Sequence, residues 1–80
     1  MISIRVRFFS DYLKYTPKGK DKNGWETEVE PGIDVQGFLK FLEIPEEKPR
    51  IVIVNDTNES GSYLLKENDF LKIFPLARGG

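Results

Sequence analysis

Apolar and polar residues alternate from the start of the chain: Ile2, Ile4, Val6 and Phe8 share one face, and Ser3, Arg5, Arg7 and Phe9 the other. A period of two predicts a half-buried strand. The period returns in WETEVE, which turns Trp25, Thr27 and Val29 inward and Glu26, Glu28 and Glu30 outward until Pro31 and Gly32 end it. Antiparallel pairing of the two segments would set the glutamates across from Arg5 and Arg7 on a solvated face. Between them, SDYLKYTP has room for one helical turn that begins at Ser10 or Asp11 and stops before Pro17, and KGKDKNG reads as a lysine-rich loop.

The period then changes. Val35, Phe38, Leu39 and Leu42 fall on one helical face behind Asp34, a suitable N-cap. Gly37 costs this helix about 1 kcal/mol relative to alanine, so packing must stabilise it. Trp25, Phe38, Phe41 and Leu42 are expected in the core or at its edge. After the acidic connector PEEKP, the run RIVIVN is apolar on both faces and predicts a strand inside a sheet. DTNESGS reads as a turn and YLLKENDF as an irregular return, with Asn68 suited to a positive φ. The last strand, FLKIF, sets Leu71 and Ile73 against Phe70, Lys72 and Phe74.

The order is strand, strand, helix, strand, strand. One helix laid across one face of a mixed four- to five-stranded sheet, with the first and last strands adjacent and parallel, buries each of these apolar faces and obeys the crossover rule. The expected class is α+β with a β-grasp (ubiquitin-like) layout. It would occupy residues 1–75, followed by a flexible tail over 76–80.

Composition narrows the chemistry. Eighty residues make one domain. Twelve Lys and Arg against thirteen Asp and Glu leave a net charge of -1, so no strong field draws in nucleic acid or anionic lipid. The absence of both Cys and His removes thiolate catalysis, Cys-ligated metals and imidazole general bases. The acids Glu43, Glu46 and Glu47 read as a solvated charge run, and no metal site is assigned. No segment has the signature of a signal peptide or the roughly 20 apolar residues of a membrane span, so a cytoplasmic protein is expected.

The remaining candidate chemistry is in IFPLARGG. Pro75 cannot donate a ladder hydrogen bond, and LARGG has few anchors. Gly79 and Gly80 lack Cβ atoms and would make the projecting end thin and flexible, so that a narrow enzyme channel could admit it. ATP can convert a terminal carboxylate into an acyl adenylate, from which sulfur or an amine displaces AMP. The reactive group would then be the α-carboxyl of Gly80. Two glycines alone are more often a frayed end.

The wider context adds weight. RVRFFSDYL, VIVN and LKENDFLKIFPLARGG together resemble the MoaD/ThiS family of ubiquitin-like sulfur carriers over nearly the whole chain. Phe8 and Phe9 match the family's opening aromatic pair and Val54 and Asn55 its Val-Asn. Glu67, Asn68 and Asp69 match the acidic turn, Phe74 and Pro75 the Phe-Pro, and Gly79 and Gly80 the reactive terminus. Asn68 stands where glycine is common, and Arg78 gives an Arg-Gly-Gly end like that of ubiquitin. The opening Phe-Phe favours the molybdopterin synthase small subunit over the shorter thiamine sulfur carrier.

The resemblance implies a co-substrate that is not catalytic alone and binds no cofactor. A ubiquitin-activating-type adenylating enzyme would use ATP to activate Gly80, and a sulfur donor would make the thiocarboxylate. The large subunit of molybdopterin synthase would then receive the tail. Phe9, Phe70 and Phe74, beside Arg5, Arg7 and Lys72, are the candidate docking surface. Pro75, Leu76, Ala77 and Arg78 lead from that surface to the reactive end. A lysine-conjugated modifier, a thiamine-pathway carrier and a noncovalent β-grasp binding module are the alternatives.

Overall fold

The computed structural model describes residues 1–76. The alternating segments form β1 (Ile2–Phe8) and β2 (Trp25–Val29), joined through a 3-10 helix at Ser10–Tyr15 and the lysine loop. α1 (Val35–Phe41), β3 (Arg50–Val54), β4 (Thr57–Glu59) and β5 (Phe70–Pro75) follow. The sheet order is β2-β1-β5-β3-β4, with β1 and β5 parallel and the other neighbours antiparallel. This is the expected β-grasp, with five strands and one short α-helix.

Register fixes the two faces of the sheet. Val6 opposes both Trp25 and Leu71, and Val52 opposes Ile73, so the inward sets of four strands meet beneath α1. Val35, Phe38 and Leu39 close this core from the helix side. Each such side chain, once buried, contributes roughly 1.5–3 kcal/mol. Tyr12 is wholly buried and donates its hydroxyl to the carbonyl of Pro49 at 2.8 Å, tying the 3-10 helix to the connector before β3.

The structure explains Gly37. Asp34 Oδ1 accepts the Gly37 amide at 2.7 Å, and a Cβ on Gly37 would lie 3.0 Å from that same oxygen. The missing side chain lets the cap close on the amide.

Three expectations need correction. Arg7 lies beyond the last β1–β2 pair, Val6 with Trp25, so only Arg5 faces a glutamate, Glu26. Residues 57–59, read as part of a turn, form β4: Asn55 and Asp56 at φ 50° and 70° make a tight hairpin, and the polar sequence Thr-Asn-Glu carries no apolar period to reveal a strand. Phe41, expected in the core or at its edge, is 76% exposed because α1 turns it away from the sheet.

Candidate functional site

β5 runs along the middle of the sheet and ends at Pro75, opposite Arg50. Leu76 follows, 49% exposed, its amide 3.5 Å from the Pro49 carbonyl. Ala77, Arg78, Gly79 and Gly80, expected to carry the reactive end, lie outside the described residues.

The sheet face away from α1 gathers the candidate docking residues. Phe9 extends the β1–β5 pairing by donating its amide to Ile73 O at 3.0 Å, which brings its ring onto Phe74 at 4.2 Å and 10°. The Arg7 guanidinium lies 4.6 Å from the Phe9 ring centre. Phe70 sits between Arg5 at 5.8 Å and Lys72 at 5.2 Å. Ile51 and Ile53 of β3 oppose Phe74 and Lys72 and extend the apolar surface. Phe9, Phe70 and Phe74 are all half-buried.

The charged side chains that flank these aromatic rings, Arg5, Arg7 and Lys72, are basic. Arg5 reaches Glu26 at 3.8 Å and Lys72 reaches Asp56 at 3.7 Å, both acids largely exposed. Such pairs neutralise little. Arg7 has no carboxylate within 4.0 Å among the described residues. A partner surface that is apolar at its centre and acidic around it fits this arrangement.

Below the face, a hydrogen-bonded clasp aims β5. Asp69, only 4% exposed, accepts Asn55 Nδ2 on Oδ1 at 2.8 Å. Its Oδ2 takes the Tyr63 hydroxyl at 3.0 Å and the Lys66 amide at 2.8 Å. Asn55 Oδ1 in turn receives the Phe70 amide at 2.9 Å. Asn68 adopts φ 70°, as its sequence context suggested, and donates its amide to Ser3 O at 2.7 Å. Sequence reasoning placed Asn55 and Asp69 in family motifs without a role. Their side chains are 14 residues apart in the chain, and only the fold joins them.

The described residues supply no catalytic constellation. Burial pushes the phenols of Tyr12 and Tyr63 up from 10.0, and Asp69 reinforces the shift at Tyr63. Both stay protonated and serve as hydrogen-bond donors. No group of three metal-binding side chains occurs among the described residues.

No protein-family model matches the chain, and no curated protein matches it. Solved structures do. A complex of subunits 1 and 2 of molybdopterin-converting factor from Helicobacter pylori includes a chain at TM-score 0.61 and 18% identity, covering 99% of this chain and 100% of that one. Small archaeal modifier protein 1 from H. volcanii matches at TM-score 0.74 and 14% identity, over 96% of this chain and 100% of its own. The Haloferax volcanii HVO 2177 protein matches at TM-score 0.76 and 21% identity, over 99% of this chain and 87% of its own. At these identities the likeness is one of fold, and the chain has the β-grasp architecture of these ubiquitin-like proteins. No helix among the described residues is long and apolar enough to cross a membrane.

Proposed function

We infer that this protein is a sulfur carrier whose Gly80 α-carboxyl is activated as an acyl adenylate and converted to a thiocarboxylate that donates sulfur in molybdopterin biosynthesis. The observation that carries the reading is the half-exposed aromatic and basic face at the root of a segment that continues to Gly79 and Gly80. Four residues beyond Leu76 reach at most about 14 Å. An enzyme can therefore hold the Phe9, Phe70 and Phe74 face while its active site lies recessed.

The chemistry places few demands on the carrier. A carboxylate oxygen of Gly80 attacks the α-phosphorus of ATP in the activating enzyme, and pyrophosphate leaves. Hydrosulfide delivered by a sulfur donor then attacks the acyl carbon, AMP departs with the bonding electrons, and loss of the S–H proton leaves the thiocarboxylate. The thiocarboxylate enters the large subunit of molybdopterin synthase, where its sulfur bonds to a pterin precursor and water cleaves the acyl–sulfur bond, leaving the sulfur on the pterin and regenerating the carboxylate. Partners supply the bases, and this chain supplies the docking face and the acyl group. The basic face favours acidic docking patches on both partners.

A second reading, a modifier joined to lysines through Gly80, rests on the Arg78-Gly-Gly sequence and on the comparable structural match to an archaeal modifier protein. Intact mass separates the two after incubation with ATP, host extract and a sulfur donor. Replacement of one oxygen by sulfur, absent when Gly80 is deleted, is the outcome expected of a carrier. Ladders of lysine-linked adducts without that shift would replace it with the modifier.

A further inference from the structure

A second surface lies at the opposite end of the sheet from Pro75. β2 is an edge strand, paired only with β1 among the described residues. Its last residue, Val29, opposes Ile2, whereas β5 runs past the Phe8–Ile73 pair to Pro75 at the other end of β1. Beside Val29, a cleft of 350 Å³ opens between β2 and α1, with apolar walls of Val29, Ile33, Phe38 and Phe41. Met1, Glu28 and Glu30 complete its lining. Phe41 is 76% exposed there, although the rest of the helix buries its large apolar residues.

We propose that the free edge of β2 and this cleft bind an extended segment of a partner protein in which Lys or Arg alternates with Val, Ile or Leu. Side chains of an added strand alternate between faces. Those opposite Glu26 and Glu28 project onto the outer sheet face, where cations pair with the glutamates. The intervening residues project toward the α1 side, where an aliphatic side chain enters the cleft and covers Phe41. The same rule already operates on the other edge of β2, where Arg5 faces Glu26 across from β1.

Charge also selects against a second copy of this chain. Antiparallel self-pairing centred on Thr27 would bring Glu26 against Glu28 twice, and like charges directly opposite destabilise a sheet. The edge is thus closed to itself and open to a basic strand. Because the cleft lies at the opposite end of β1 from the point where β5 ends, its occupant and an enzyme docked on the Phe9, Phe70 and Phe74 face can bind together. The proposal stands whether Gly80 carries sulfur or forms isopeptides.

The test titrates the ¹⁵N-labelled protein with the peptide Lys-Val-Lys-Leu-Lys-Val-Lys and, separately, with its all-glutamate counterpart. The expected result is saturable shifts by about 1 mM basic peptide, centred on amides 25–30, 33, 38 and 41, and none with the acidic peptide. Reversing the edge charges with Glu26→Lys and Glu28→Lys weakens binding about tenfold, and raised salt does the same in part. Phe41→Ser, at an exposed position, weakens it without altering the rest of the spectrum. The proposal is overturned by the absence of saturable shifts, by equal binding of the acidic peptide, or by shifts centred on Phe9, Phe70 and Phe74.

Discussion

Replacing Asp69 by alanine tests whether the clasp beneath β5 holds that strand in place. The carboxylate accepts three hydrogen bonds, at 2.8, 3.0 and 2.8 Å, from the β3–β4 turn, from Tyr63 and from the Lys66 amide. Its removal leaves three donors without an acceptor. Each part-buried orphan costs about 1 kcal/mol, so the loss sums to about 3 kcal/mol. In a domain of this size that lowers Tm by roughly 12–24 °C. Asp69→Asn is not a silent replacement. Asn55 cannot turn its amide over, because its Oδ1 holds the Phe70 N–H, so each placement of the new amide sets a donor against a donor. Thermal unfolding followed by circular dichroism gives the loss, and a double-mutant cycle with Tyr63→Phe gives the coupling. A fall in Tm below about 4 °C, or an equal cost of Tyr63→Phe with and without Asp69, would refute the account.

Two further outcomes follow from buried or strained positions. Tyr12→Phe removes the donor to Pro49 O and costs about 1 kcal/mol at neutral pH. Burial holds the Tyr12 phenol above 10.0, so the unfolded chain ionises first; stability is full below about pH 10 and falls as pH rises toward the folded value. The phenylalanine variant should show a shallower alkaline decline in urea midpoint. Asn68 sits at φ 70°, so Asn68→Gly should be neutral or stabilising, whereas Asn68→Ala should cost about 1 kcal/mol in urea unfolding.

Much of the fold was legible because its core strands obey a simple period. β1, β2 and β5 alternate, and α1 carries its apolar residues three and four apart behind an aspartate cap. β4 escaped because it forms through a hairpin turn and a neighbouring strand, using polar residues that add nothing to the core. Phe41 escaped for the opposite reason: an aromatic at the edge of an apolar helical stripe reads as core, and only the position of the sheet shows which side it takes. The outer-face aromatics were visible from parity alone. The Asp69 clasp was not, since a buried carboxylate announces itself only when its three donors meet.

The parallel pairing of β1 with β5 has a mechanical consequence. Met1 and Pro75 leave this pair of strands at opposite ends, so tension between them runs along the strands. The four registered positions from Arg5 to Phe8 then share the load in shear and cannot open one after another. A pull transmitted from the tail through Pro75 meets the sheet in its most resistant direction, and the domain can be drawn by that handle without unravelling from it.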